Sequence, residues 1–415
     1  MHRRRFIRNS SLALLGAYAT PQALLAAVRY PYHGRIADYK PHQIIEPGLK
    51  VVKLETFVTG GIGVVRVTTD NGKIGMGQMS TYDADISAMV LHKKLAKFVL
   101  GKDPADIDHI VDNCIERNLK YPWSFVCRAL AGIDTALWDL YGKLLDKPVY
   151  ELLGAKHGPF PIYGSSMSRQ IKPKDEAERL LSLREKHGYR AFKFRIGRRN
   201  GHNQDAWPGR TEAIVPTVRK ALGDKTTLLV DANSCYTPDK AIEVAKLLAD
   251  NNIAQLEEPC PYWELEWTKK VTDTIKTPVS GGEQDNDLAQ WRRMIKMRAV
   301  DILQPDICYI GGLTRALRVA QMAAEYNMPV IPHSANLSMV TIFSLHMMKA
   351  IPNAGDYVEF SIETKGIRKQ ADLLYTPHLK VADGKARLSA EPGWGVNIND
   401  DWLKSAAYQV SEFKS

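Results

Sequence analysis

Six polar residues recur along the second half of the chain at almost constant intervals. Asp231, Glu257 and Glu283 stand 26 residues apart, Asp306 follows after 23, His333 after 27 and Glu359 after 26. Each lies at the end of a short apolar run, in TTLLVDAN, IAQLEEP, TPVSGGE, VDILQPD, MPVIPHS and DYVEFS, and two similar runs, PIYGSSM and AFKFRIG, precede them. These runs read as buried strands, and the amphipathic stretches between them read as helices. The interval is about one strand-helix unit, so the six residues would share one level of a parallel β/α structure. Eight β units over roughly two hundred residues predict a closed barrel. The competing open sheet would more often carry a glycine-rich dinucleotide turn after its first strand, and none follows here. Barrel enzymes keep their chemistry where the strands end, which is where this series falls.

Three carboxylates on adjacent strands cannot converge unpaired, because mutual repulsion would raise their pKa values or push them apart. A hard divalent cation resolves the conflict, and an oxygen-only set favours Mg²⁺ over zinc. Asp231, Glu257 and Glu283 are therefore the candidate metal ligands. The Glu257-Glu258 pair leaves open which glutamate faces the metal; the spacing selects Glu257, with Glu258 behind it. Asp306 and His333 end neighbouring strands and are placed to hydrogen-bond, so that the carboxylate fixes the imidazole tautomer and raises its basicity, as a general base requires. In AFKFRIG, strand alternation aims Lys193 and Arg195 at one face. Two buried cations side by side require an anion, supplied either by barrel carboxylates or by a substrate.

The rest of the chain is organised differently. LKVVKLETFV and IGVVRVTTDNGKIGMGQM read as strands, the second stretch turning at Asp70-Asn71-Gly72. Helical patterns follow at 86–101 and from Ser124 onward, with Pro148 marking a new start. The tail after 363 again reads as short strands and turns, returning to this first region. At the N-terminus, HRRRFIRNSSLALLGAYATPQALLAA couples a basic segment to an apolar run too short to span a bilayer. Arg4-Arg5-Phe6-Ile7 resembles a twin-arginine export signal, cleaved after Ala19 or near Ala26-Ala27, so a periplasmic or otherwise exported protein is expected. A mitochondrial-type presequence is the competing reading. Arg3, Arg4, Arg5 and Arg8 supply four of the ten net positive charges, and no nucleic-acid module accompanies the remainder. The five cysteines are scattered without a C-x-x-C pair, which indicates neither a disulfide framework nor a zinc site.

Taken together, the cap segment AGIDTALWDLYGKLLDKPVYELLG, the Lys193-Phe194-Arg195 strand, Asp231-Ala232-Asn233, Gly282-Glu283 and the Asp306/His333 pair resemble the enolase superfamily, specifically its mandelate racemase and muconate lactonizing enzyme group. The resemblance runs from about Val51 to the C-terminus. It implies a modified TIM barrel of the (β/α)7β type with an N-terminal α+β capping domain completed by the C-terminal tail. The expected boundaries are 1–27 for the export signal, 28–47 for a linker arm, 48–158 for the cap, 159–362 for the barrel and 363–415 for the returning segment. It also implies one Mg²⁺ per subunit, abstraction of the proton beside a carboxylate, and an enediolate whose growing charge Lys193 and Arg195 help to hold. Glu359 matches the position that donates a hydrogen bond to the enediolate, which requires a protonated carboxyl, and Asn233 is expected to touch the substrate. The group's racemases have Lys-x-Lys where this chain has Lys193-x-Arg195, and a guanidinium is a poor base. A one-base reaction follows: His333 removes the α-proton and returns it to a departing β-hydroxyl, dehydrating a sugar acid to a 2-keto-3-deoxy acid. Racemisation, epimerisation or cycloisomerisation, with Lys193 as second base, is the alternative. Specificity is expected from Thr59–Ile62 and Met79–Asp83 of the cap, and from Arg198 or Trp207 in the insertion after Lys-x-Arg. The expected partners are a small carboxylate substrate and further copies of the chain, with no nucleic acid and no membrane anchor after signal removal.

Overall fold

A computed structural model describes residues 48–414 except 122, 365 and 366, with the side chains of 367–370 also left aside. The expected export segment 1–27 and linker arm 28–47 lie outside the described residues. Strands β1 (Val51–Thr59), β2 (Ile62–Thr69) and β3 (Ile74–Gln78) form an antiparallel meander. Its second turn is the one Asn71-Gly72 predicts, with Gly72 at φ 82°. The sheet's inner face packs on the helix Phe125–Leu144, whose residues are mostly buried. The approach is close enough that a side chain at Gly77 would collide with the helix backbone at Ala136. The helix expected over 86–101 is shorter and irregular: an α segment, Ala84–Val90, widens into a π turn at Leu91–Leu95 and ends in a 3₁₀ turn. There His92 reaches back to the sheet, bonding Thr56 Oγ1 at 2.9 Å and Ser411 Oγ at 2.8 Å. A new helical turn, Val149–Leu152, starts after Pro148 as expected.

The second layer is the barrel. Strands β4 (Pro159–Ser165), β5 (Ala191–Arg195), β6 (Thr227–Asp231), β7 (Gln255–Glu257), β8 (Val279–Gly281) and β9 (Ile302–Leu303) run parallel in sequence order. Strand β10 (Val358–Ser361) pairs with β4, Val358 opposite Ile162, which closes the ring. The seventh strand expected in MPVIPHS is reduced to bridges of Val330 with Leu303 and Ala354. Pro329 and Pro332 flank it and remove the donors that a longer ladder needs. The register sets Arg195 opposite Asp231 and Asp231 opposite Glu257, so the charged strand ends form one row.

The tail contributes to both layers. Between β11 (Tyr375–Thr376) and β14 (Asn397–Ile398), which pair with each other, β12 (Val381–Ala382) and β13 (Lys385–Arg387) extend the sheet beside β4. The last strand, β15 (Ala407–Glu412), completes the meander by pairing antiparallel with β1. Among the described residues no helix is long and apolar enough to cross a membrane.

Candidate active site

Lys193 and Arg195 do point to one side of β5, and both are buried. Their partners are internal. Lys193 Nζ donates to both oxygens of Glu257, at 2.7 and 2.8 Å, and lies 2.8 Å from Glu359 Oε1. Arg195 pairs with Asp231 and donates to Asn233 Oδ1 at 3.0 Å. The strand's two cations therefore balance three barrel carboxylates, the structural alternative open from sequence. Burial acts against the Lys193 ammonium, but Glu257 and Glu359 outweigh it and keep it charged far above the ordinary range.

Glu359 is bonded through both carboxyl oxygens. Its Oε1 accepts from Ser165 Oγ at 2.7 Å and from Lys193, and its Oε2 accepts the Ser334 N–H at 2.7 Å. Burial would raise this carboxyl, but Lys193 and His333 hold it well below the usual carboxylate range. Where the resemblance implied a protonated donor, the Lys193 ammonium beside Glu359 favours the ionised form in this arrangement of side chains.

Asp306 and His333 meet as expected: Nδ1 of the imidazole lies 2.7 Å from Asp306 Oδ2. The other oxygen, Oδ1, accepts the backbone N–H groups of Cys308 and Tyr309 at 2.7 and 3.1 Å, where Asp306 caps the helical turn Ile307–Ile310. One carboxylate oxygen is thus fixed by the backbone and the other orients the ring. Nε2 stands 3.4 Å from Glu283 Oε2. Burial lowers the imidazole pKa, yet the Glu283 charge, the Asp306 hydrogen bond and Glu359 together raise it to about 10. Glu283 is aimed by Gly282, whose φ of 104° and close approach to Trp291 leave no room for a side chain.

Among the described residues, no three His, Cys, Asp or Glu side chains already converge as ligands. Asp231 and Glu257 end β6 and β7 and Glu283 follows β8, but Arg195, Lys193 and His333 respectively engage them. Their chemistry nevertheless suits a hard divalent cation. All donors are oxygens, and a further carboxyl oxygen, Glu258 Oε1, is buried without a hydrogen-bond partner. Glu258 sits on the cavity wall at φ 42°, whereas Glu257 lies beneath it, bonded also by Gln304 Nε2 at 2.9 Å. Burial and the charges of Glu283 and Glu257 push the Glu258 carboxyl well up.

These groups open into a cavity of about 550 Å³ between barrel and cap. Asn233, Arg195, Glu283 and His333 line it. Of the two cap segments expected to close over the mouth, Met79–Asp83 contributes Thr81 and Tyr82, and Thr59–Ile62 contributes nothing. From the insertion, Arg199 and Asn200 reach the wall in place of Arg198 and Trp207. Arg198 instead turns to Gln204, and Trp207 lies against the Arg210 guanidinium. Sequence reasoning missed Arg128, Tyr309, Trp263 and Glu363 on the wall. For Arg128 a signal existed: it is the lone charge in the apolar helical run FVCRALAGI.

Two family profiles cover nearly all of the described chain. Residues 43–154 match the mandelate racemase / muconate lactonizing enzyme N-terminal domain, and 175–402 match the enolase C-terminal domain-like family. Among curated relatives, a D-xylonate dehydratase of Haloferax volcanii is 28% identical over 82% of this chain and 84% of its own. An arabinonate dehydratase of Saccharolobus solfataricus is 26% identical over 82% and 88%. A solved structure of a presumptive racemase from Roseobacter denitrificans superposes with a TM-score of 0.86 at 53% identity, covering 88% of this chain and all of that one. A mandelate racemase/muconate lactonizing protein of Paracoccus denitrificans, solved in complex with magnesium, gives 0.79 at 26% identity over 88% and 99%. With a capping domain below 154, a ring of parallel strands closed by β10 on β4, and both profiles matched, the chain belongs to the enolase superfamily, in its mandelate racemase and muconate lactonizing enzyme group.

Proposed function

We propose that the protein dehydrates a sugar acid, removing the proton α to the carboxylate and expelling a β-hydroxyl to give a 2-keto-3-deoxy acid. One observation carries this reading: among the described residues the cavity wall holds a single imidazole, His333, locked by Asp306, and the strand that would offer a second base presents Arg195 instead. Lys193, the other candidate base, is absent from the wall and is kept protonated by two carboxylates. Asp231, Glu257 and Glu283 would hold Mg²⁺, with Glu258 in reserve. Bound there, the ion supplies positive charge to the substrate carboxylate and so acidifies the α-proton. The chain's own part starts at His333: with Glu283 drawn to the cation, the charge that most favours the imidazolium is withdrawn, and the neutral Nε2 would accept the α-proton while Asp306 keeps the ring oriented. The resulting imidazolium gives the same proton to the β-hydroxyl, which leaves as water, and the enol product ketonises. Arg195 and, from beneath, Lys193 add fixed positive charge where the carboxylate becomes more negative. Asn233 is placed to contact the substrate from the Arg195 side.

The dehydratase names of the two curated relatives support this reading. The Roseobacter structure favours the second one, racemisation or epimerisation, which needs a second proton relay. Incubating the protein with a library of sugar acids in D₂O, with Mg²⁺ or with EDTA, separates the two. Mg²⁺-dependent loss of one water with a 2-keto product is the expected outcome. Deuterium gain without that loss across the library would count against dehydration, meaning racemisation, epimerisation or a stalled elimination, and would make Lys193 the leading second-base candidate.

We also propose export by the twin-arginine route, from the Arg4-Arg5 segment and its short apolar run. A reporter fused to residues 1–30 should require that route, and its passage in unfolded form would refute the proposal.

A further inference from the structure

The reaction above engages one end of a substrate, yet the cavity carries a guanidinium at another point that no step uses. Arg128 reaches the wall from the cap helix Phe125–Leu144. Its Nη1 donates to Ser80 Oγ at 2.5 Å, and its guanidinium carbon lies 4.0 Å from the centre of the Tyr309 ring. Tyr309 is in turn 5.8 Å from the His333 ring. The order His333, Tyr309, Arg128 sets the guanidinium one aromatic ring away from the base, on the cap side. The reacting carboxylate belongs elsewhere, beside Glu283 and Arg195.

No Asp or Glu lies within ion-pair reach of Arg128 among the described residues. Glu258 and Glu283 belong to the proposed metal site, and the remaining charges on the wall are differently placed. Arg195 is satisfied by Asp231, and Glu363 is held by Arg179 at 3.3 Å and by the Met167 N–H at 2.8 Å. Arg199 is exposed and shares the Asn233 wall, where the Asn200 N–H bonds Asn233 O at 3.0 Å. Arg128 is half-buried, with one donor engaged and four to spare, and a ligand that fills the cavity strips water from them. A hydroxyl would leave that charge uncompensated, whereas a carboxylate matches the planar fork. The two ring spacings keep Arg128 within reach of a ligand of this size, since four C–C bonds from the α-carbon to a distal carboxylate extend about 5 Å.

We infer that Arg128 is a specificity-determining residue that binds a second carboxylate, so that the preferred substrate is a dicarboxylic sugar acid of about six carbons. This rests on the proposed dehydration only for which end reacts. Binding without turnover tests it directly. Calorimetry with Mg²⁺ on the His333→Asn protein compares six-carbon aldaric acids with the aldonic acids of matching configuration. The best diacid should bind about ten- to a hundredfold tighter than its aldonate. Adding Arg128→Gln should abolish that preference while changing aldonate affinity less than about threefold, and Arg128→Lys should restore part of it. Equal binding of the two acids, or equal loss for both on Arg128→Gln, would overturn the inference. The two readings fail separately. An Arg128-dependent diacid preference in a protein whose His333 form expels no water sustains the inference and sinks dehydration. Water loss from aldonates without any diacid preference does the reverse.

Discussion

Two buried histidines, His333 at the barrel mouth and His346 in the seam between barrel and tail, respond to burial in opposite ways. His346 lies on the helix Met339–Ala350, where its Nδ1 accepts the Tyr150 N–H at 2.9 Å and its Nε2 faces Trp394 O at 3.3 Å. The Tyr150 and Trp394 rings stand 5.3 and 5.0 Å away. Burial there acts almost unopposed and lowers its pKa to about 3, so the ring is neutral. His333 is equally enclosed, but three carboxylates surround it and its pKa rises to about 10. The seam uses a histidine as a neutral hydrogen-bonding spacer that joins three segments of chain. The mouth uses one as a charge within a network whose members need each other. Stability and reactivity are thus assigned to different places, and each assignment can be challenged.

The largest effect should come from the mouth and should appear in rate. His333→Asn keeps a side chain that can bond Asp306 but cannot shuttle a proton, so turnover should fall at least about 10³-fold. Mg²⁺ affinity, measured by calorimetry, should stay within a fewfold. Full activity in this variant would erase the distinction between mouth and seam. Next comes Lys193→Met, which strands Glu257 and Glu359 as buried charges without their cation. Breaking a buried pair from one side costs about 3–5 kcal/mol, which urea unfolding would read as a lower midpoint. An unchanged midpoint would mean that solvent already reaches the two carboxylates.

The same contrast explains what could be read from the sequence. The mouth announces itself because its residues end or follow successive strands: Asp231, Glu257, Glu283, Asp306, His333 and Glu359 keep nearly one period, and the fold links several of them by direct contact, His333 to Asp306 and Glu283 among them. Alternation likewise set Lys193 and Arg195 on one face. Alternation cannot say which anion they meet, since the partners come from other strands: register sets Asp231 opposite Arg195, and Glu257 reaches Lys193 from β7, one strand beyond. Nor can it show that Glu359 sits beside the Lys193 ammonium, which is 166 positions away. The seventh strand was overread because its apolar residues are strand-like while its two prolines deny it a ladder. His346 gives no signal at all. It is one polar residue in an apolar helix, and its partners Tyr150 and Trp394 are distant in sequence. Arg128 did stand out, as a charge in an apolar run, but its meeting with Tyr309 is invisible in sequence, since it occurs only where the cap helix lies against the turn after β9.

The smallest expected effect tests the seam by pH. A histidine whose folded pKa lies below its unfolded value near 6.5 takes up a proton more readily when unfolded. Its contribution is therefore undiminished above about pH 6.5 and is lost as pH falls toward about 3. Lowering the pH from 7 to 5 should remove about 2 kcal/mol of the stability that wild type holds over His346→Gln, whose amide can keep the Tyr150 bond but does not titrate. Taking this as a difference between two proteins cancels His333 and every other group they share. His333 on its own runs the other way, its contribution being complete below about 6.5 and lost as pH rises through about 10. If the difference between wild type and His346→Gln stays flat from pH 7 to 5, His346 is already protonated or hydrated in the fold. The seam would then be a second polar network like the mouth, and the division between the two regions would fail.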